Sequence, residues 1–215
     1  MRSVKSIAPI ILAAGDSTRM GYPKALLPLA GELFLTRILR VLHEIGLETP
    51  RLILGRDADR IMEQIRELPV DILVNPDPDR GQLSSIQLGL TGIPDNFEAA
   101  MIWPVDQPAV SAELACGLVD AFIDNDCRIT VPFCHDRRGH PAIFHRTLFH
   151  EFMEAPLDKG ARGIIPRYAD EAVYLSTDET ACITDIDTPA EYEELTGQSL
   201  AAALGQIHPD QSRGK

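Results

Sequence analysis

Between residues 6 and 15 the chain reads SIAPIILAAG, an apolar run of strand length that stops at glycine and lacks polar alternation. Such a run predicts a strand buried on both faces. LFLTRILRVLHEIG then spaces Leu35, Ile38, Leu39, Leu42 and Ile45 at helical intervals and ends on Gly46, a suitable C-terminal cap. RLILG and VDILVNP read as short strands, with a charged helix at about 57–68 between them. QLSSIQLGL predicts a helix opening after Gly81, and AAMIWPVD a central buried strand. AELACGLVDAFID is a helix that Ser111 can cap. RITVPF and HPAIF read as strands, about 146–154 as a helix, and a further helix is expected to start near Lys159. AVYLST returns as a strand and TPAEYEELTG closes as a helix with Pro189 in its first turn. Strands alternating with helices predict an α/β fold, with a mainly parallel sheet covered on both faces. The pattern gives a single domain over residues 1–200 and a polar, frayed tail over 201–215.

Composition narrows this picture. A chain of 215 residues with 45% hydrophobic content can bury a large core. No apolar run approaches the ~20 residues that span a bilayer. MRSVKSIAPIILAAG is basic and then apolar, like a signal peptide, but it runs into a charged glycine loop without a small-residue cleavage site. It reads instead as a first core strand. Cys116, Cys127, Cys134 and Cys182 form no C-x-x-C pair, which argues against a disulfide framework or zinc site and fits a reducing cytoplasm. The net charge of −12 argues against nucleic acid and anionic membranes as partners. A small anionic substrate then requires cations gathered locally.

The segment ILAAGDSTRMGYPKALLPL gathers them where the first strand stops. Ligands of open α/β sheets sit at the carboxyl ends of strands. Gly15 and Gly21 let backbone N–H groups approach a ligand, Arg19 can fork onto phosphate oxygens, and Lys24 offers a compact charge. Together they suit a polyphosphate. The G-x-x-x-x-G-K-[ST] loop is excluded, because five residues separate Gly15 from Gly21 and Tyr22 stands at the lysine position. G-x-G-x-x-G is absent, so a dinucleotide fingerprint is unsupported. Asp106 follows the central strand, and Asp185 and Asp187 follow the last one, spaced to share a side if extended. One carboxylate from each strand end could hold Mg²⁺ over the phosphates. Asp106 also suits a turn cap and Asp187 a helix cap, so the residues alone leave both readings open.

With these residues in place, LAAGDSTRMGYPKALLPL resembles the L-A-A-G-x-S-x-R-M-G-x-P-K-x-L-L-P signature of nucleotidyltransferases related to molybdenum cofactor cytidylyltransferase. GQLSSIQLGL, DQP, RRGHPAIF, DKGARGII and DIDTPAEY match later blocks in order, from about residue 10 to residue 195. The resemblance implies a three-layer α/β/α, Rossmann-like fold with a mostly parallel sheet of about seven strands. It implies CMP transfer from CTP to the phosphate of molybdopterin, with Mg²⁺ and release of pyrophosphate. A molybdenum hydroxylase or its maturation factor would be the partner. Lys24, Arg19 and Asp106 would be catalytic, with Asp106 and Asp187 as metal ligands. Leu12, Ala13, Ala14, Gly15, Ser17, Gly21, Gly81, Ser84 and Ser85 would contact the nucleotide, and Arg138, His140 and Arg162 the acceptor. Ser84 and Ser85 equally suit a plain helix start, and Lys159 and Arg162 an exposed one. Guanylyl relatives typically read L-A-G-G, and the methyl of Ala14 in L-A-A-G favours the smaller cytosine. The alternatives are GTP as donor, another phosphorylated or acidic acceptor, or a non-catalytic cofactor chaperone, which would not need both Asp106 and Asp187.

Overall fold

The computed structural model describes residues 3–157 and 163–207. The chain passes through β1 (Ile7–Ala13), the small hairpin β2 (Pro28–Leu29) and β3 (Glu32–Leu33), then α1 (Phe34–Glu44), β4 (Arg51–Leu54) and α2 (Ala58–Gln64). β5 (Asp71–Val74), α3 (Gln82–Leu90), β6 (Ala99–Pro104) and α4 (Ala112–Asp124) follow. Next come β7 (Ile129–Cys134), β8 (Arg137–Arg138), β9 (Ala142–His145), α5 (Phe149–Glu154) and α6 (Ile164–Arg167). β10 (Ala172–Ser176), α7 (Pro189–Thr196) and α8 (Leu200–Ile207) complete the order.

One sheet runs β10-β7-β9-β6-β1-β4-β5, with the short β8 added on β7. β1 lies parallel to both β4 and β6. Its side chains enter two cores. Ile7 and Ile11 join Phe34, Ile38, Leu118 and Phe122 on one face. Ala8, Ile10 and Leu12 join Leu83, Ile86, Phe144 and Phe152 on the other. Because successive side chains point to opposite faces, both of them covered, no polar alternation can survive in this strand. The expected mostly parallel α/β architecture with helices on both faces is what the chain adopts. No helix among the described residues is long and apolar enough to cross a membrane.

The main exception to parallel pairing is β9, antiparallel to β6 and β7. The reversal begins at the two-residue turn between β7 and β8, where His135 and Asp136 have φ of 47° and 59°. Positive φ at both centre positions matches strand twist in tight hairpins, and Asp and His tolerate it better than most residues. The reversal sends Arg137, Arg138 and His140 to the sheet edge where the parallel strands end.

Two expectations need correction. The helix at 57–68 is shorter, spanning Ala58–Gln64. The helix start expected near Lys159, with Lys159 and Arg162 themselves, lies outside the described residues; the next described helix is α6, starting at Ile164. Residues 201–207 are not a frayed tail: they belong to α8, whose Ala203 is buried in the core beside Tyr192. LAAALGQI carries a short apolar face that the polar, proline-containing sequence behind it masked.

Candidate active site

The loop after β1 is anchored by its apolar residues. Met20, Tyr22, Ala25, Leu26 and Leu27 are buried, and the Arg60 guanidinium lies 4.1 Å above the Tyr22 ring. Gly21 N–H donates to the Ser17 carbonyl at 2.8 Å, with Gly21 at φ 72° closing the turn. Lys24 N–H donates to Ser17 Oγ at 3.4 Å, and Lys24 opens a single 3₁₀ turn, Lys24–Leu26. The Lys24 side chain is thereby aimed inward and is only 12% exposed, whereas the Arg19 side chain is 65% exposed.

Two carboxylates meet Lys24. Asp106 comes just after β6, whose extension is fixed by Val105 N–H donating to the Leu12 carbonyl at 3.0 Å. Ile186 N–H donates to the Asp106 carbonyl at 2.9 Å, which docks the segment carrying Asp187 against the same strand end. Lys24 Nζ lies 3.1 Å from Asp106 Oδ2 and also bonds Asp187 Oδ1. Arg19 Nη2 approaches Asp187 Oδ2 at 2.8 Å. The cap question is resolved by Thr188, whose Oγ1 accepts from Glu191 N–H while Glu191 Oε2 accepts from the N–H groups of Asp187 and Thr188. Asp187 therefore keeps its carboxylate for the site.

Asp185 and Asp187 do not end the last strand, and they do not work as a pair. A 3₁₀ turn, Thr180–Ile183, separates them from β10. Buried Ile186 lies between them, and Asp185 accepts from Gln107 Nε2 at 2.7 Å while Asp187 turns to Lys24.

Charges in this cluster act on one another. Burial disfavours the Lys24 ammonium, but Asp106 and Asp187 together outweigh it and raise its pKa above the ordinary lysine value. Burial pushes Asp106 above the usual carboxylate range; Lys24 opposes this, and the charges of Asp185 and Asp187 add to it. For Asp187 burial also acts upward, yet Lys24 and Arg19 prevail and hold it below that range. Asp106 Oδ1 is buried without a hydrogen-bond partner. An unpaired, buried carboxylate oxygen beside a second carboxylate suits a hard cation that takes its remaining ligands from phosphate and water. Among the described residues no group of three or more His, Cys, Asp or Glu could hold a metal by protein ligands alone.

Two cavities adjoin at Asp106. The first, about 260 Å³, is lined by Leu12 and Ala13 of β1, by Ala14, Gly15 and Ser17 of the loop, and by Lys24, Gly81, Ser85 and Asp106. The expected nucleotide residues Gly21 and Ser84 are not in its wall. Gly21 shapes the loop, and Ser84 Oγ–H donates to the Gly81 carbonyl at 2.8 Å, which closes the start of α3. Gly81 itself has φ 87°, a conformation that other residues adopt only with strain.

The second cavity, about 580 Å³, has Arg137, Arg138, His140, Gln107 and Asp185 on an otherwise largely apolar wall that includes Ile102 and Phe144. His140 N–H donates to the Cys182 carbonyl at 2.8 Å, a close approach that requires the preceding glycine, because any Cβ at Gly139 would overlap that carbonyl oxygen. His140, expected at the acceptor, lines this cavity. Burial drives the imidazole below its ordinary pKa, against the charge of Asp185 and a backbone bond to Ile102, and Nδ1 has no partner. Burial thus disfavours the charged imidazole, and the arginines carry the cavity's positive charge. Gln107 and Asn75 were missed as contributors. Gln107 was visible in DQP, beside Asp106, and Asn75 stood before Pro76 as no more than a strand stop.

A family model described as the MobA-like NTP transferase domain matches residues 9–173. The bifunctional protein GlmU of Clavibacter sepedonicus is 32% identical over 144 residues, 64% of this chain and 29% of that protein. The chain spans only 28% to 34% of the length of the first curated relatives it matches. A probable molybdenum cofactor guanylyltransferase of Bacillus cytotoxicus is 27% identical over 199 residues, covering 89% of this chain and 97% of that protein. Among solved structures, Rv0371c from Mycobacterium tuberculosis superposes with a TM-score of 0.79 at 28% identity, over 89% of this chain and 98% of that one. The same mycobacterial protein in complex with manganese superposes with a TM-score of 0.74 at 26% identity. With the loop, Asp106 and most of the sheet inside the matched residues, the chain belongs to the MobA-like NTP transferase domain family of nucleotidyltransferases.

Proposed function

We propose that this protein transfers CMP from CTP to the terminal phosphate of a molybdopterin-type acceptor and releases pyrophosphate. The observation that carries the reading is Lys24 bonded to both Asp106 and Asp187, with Asp106 at the junction of two cavities, one behind a glycine loop and one rimmed by arginines. An acceptor phosphate is anionic near neutral pH, so no strong general base is needed. Its oxygen bonds to the α-phosphorus as the bond from that phosphorus to the α–β bridging oxygen breaks, and the electron pair leaves with pyrophosphate. Catalysis then rests on alignment and charge neutralisation. In this reading Lys24 turns from the carboxylates toward the charge developing at the α-phosphate. Arg19, far more exposed, follows the leaving phosphates, and Arg137 and Arg138 hold the acceptor. Arg162 belongs to the same reading from outside the described residues.

Asp106, through its unpaired Oδ1, and Asp187 would hold Mg²⁺. When bound, that ion supplies charge neutralisation between donor and acceptor oxygens. The manganese held by the mycobacterial protein supports a divalent ion of this kind.

CTP is favoured by Ala14, whose methyl narrows the first cavity where L-A-G-G relatives have only hydrogen; such a difference is worth about 1–3 kcal/mol. The named guanylyltransferase similarity makes GTP the second reading. A cytoplasmic location, where the free cysteines stay reduced, and delivery to a molybdenum hydroxylase or its maturation factor complete the proposal. The test is pyrophosphate release from purified protein with Mg²⁺, molybdopterin and either CTP or GTP. Faster turnover of CTP is expected; faster turnover of GTP selects the second reading, and no release with either nucleotide overturns both.

A further inference from the structure

We propose that Asn75 is a positioning residue that fixes the Ser85 hydroxyl as a hydrogen-bond donor into the first cavity, so that the site reads a lone pair on the bound base. The inference rests on the nucleotide reading of that cavity.

Asn75 follows β5 and is 6% exposed. Its backbone N–H donates to the Leu54 carbonyl at 2.8 Å, which ties it to the neighbouring strand. Its side-chain orientation is determined by its surroundings. Oδ1 accepts from Asp77 N–H at 3.0 Å, so the NH₂ group must face α3. Nδ2 then reaches Ser84 Oγ at 2.9 Å and Ser85 Oγ at 3.0 Å. An amide nitrogen offers only hydrogens, so both serines meet it with a lone pair.

The two hydroxyls therefore have their hydrogens directed elsewhere. Ser84 gives its hydrogen to the Gly81 carbonyl at 2.8 Å and is closed to a ligand. Ser85 is buried, lines the first cavity with Ala14 and Gly81, and finds no acceptor for its hydrogen among the described residues. An ordinary serine rotates to donate or accept as the ligand requires. Ser85 cannot, because accepting from a ligand as well would leave its hydrogen stranded in a buried site, at the cost of an unmade bond. The group it recognises is accordingly a carbonyl oxygen or an unprotonated ring nitrogen of the base.

Isothermal titration of CTP with Mg²⁺ into wild type, Ser85→Ala, Asn75→Asp and the double variant tests this. An aspartate carboxylate accepts where the amide donated, so it draws the Ser85 hydrogen away from the cavity while nearly keeping the shape. Each single variant should weaken CTP binding about tenfold, the scale of one lost hydrogen bond. The double variant should bind no worse than Ser85→Ala, because Asn75 acts only through that hydroxyl. If Asn75→Asp weakens binding as much in the Ser85→Ala background as alone, Asn75 merely supports α3 and the proposal falls. Unchanged affinity in Asn75→Asp overturns it as well. Thermal melts establish folding of each variant. Should Asn75→Asp not fold, Ser85→Thr against Ser85→Ala reads the donor alone: threonine should retain CTP affinity and alanine lose it, and equal affinities refute the idea. Wild type that binds neither CTP nor GTP overturns the nucleotide reading itself. Wild-type CTP binding with additive variants overturns only this inference.

Discussion

Lys24→Met removes the ammonium that Asp106 and Asp187 share while keeping most of its aliphatic stem. At 3.1 Å, a pair such as Lys24 with Asp106 carries about 5 kcal/mol of gross attraction at an effective dielectric near 20. Desolvation of the partly buried ammonium takes much of this back. Stripping one partner from a fully buried pair typically costs about 3–5 kcal/mol, because the other charge is left uncompensated. Here the Asp187 side chain is 28% exposed and keeps Arg19, so its share is screened. The expected loss is therefore about 2 kcal/mol, dominated by Asp106. Urea denaturation at pH 7 reads it directly, and adding Asp106→Asn to Lys24→Met should restore most of the stability. A divalent ion should also act differently on the two proteins. In wild type the ammonium already stands between the carboxylates, so Mn²⁺ without nucleotide should shift the midpoint little; in Lys24→Met it should raise it, by binding only the folded state. A Lys24→Met protein as stable as wild type, within about 0.5 kcal/mol, and indifferent to Mn²⁺ would refute the argument.

Thr188→Ala removes the cap of α7 and should cost about 1 kcal/mol by denaturation. Because Glu191 in that capping box also binds the Asp187 backbone, CMP transfer should slow as well. Gly139→Ala should destabilise by about 1–3 kcal/mol, since the new methyl collides with the Cys182 carbonyl, and should raise KM for the acceptor more than for CTP. Glu151 supplies a pH test away from the site. The Tyr168 hydroxyl, donating at 2.6 Å, holds its carboxyl below the ordinary 4.5 against the opposing effect of burial, with Arg167 and His150 adding to the Tyr168 effect. A depressed folded pKa means stability present above pH 4.5 and lost as pH falls below it, so Glu151→Gln should flatten the acid side of a stability profile, and an unchanged slope would count against the contact.

The strands and the loop could be read from the sequence because local pattern decides them. SIAPIILAAG reads as a buried strand once a signal peptide is set aside, and the loop announced its cations. What the sequence left open was settled by contacts between segments far apart in the chain. Whether Asp187 caps α7 depends on Thr188 and Glu191 doing so instead. Asp185 and Asp187 look equivalent at a spacing of two, and only Gln107, reached across the fold, separates them. Ser84 and Ser85 also look interchangeable in GQLSSIQLGL, yet one closes the helix start and the other faces the cavity. His140 stands beside arginines in the sequence, yet its burial depends on Cys182 and Ile102, which the local sequence does not contain.

The same reasoning explains why the arginine-lined cavity depends on an antiparallel strand. In a wholly parallel sheet, every strand would bring only its carboxyl end to the edge where Gly15, Lys24 and Asp106 stand. β9 pairs antiparallel with β6, placing Ala142 opposite Ile102, so the residues just before β9 arrive at that edge. Arg138 and His140 therefore enter the second cavity from the start of a strand rather than its end, next to Asp106. The left-handed turn at His135 and Asp136 makes this reversal in two residues, and Gly139 lets the chain pass under Cys182. A longer or looser connection would leave the arginines free to point to solvent. Insertion of two residues into that turn should accordingly preserve CTP binding while sharply lowering transfer to the acceptor; a parallel loss of both would show that the turn supports the fold as a whole and not the acceptor side in particular.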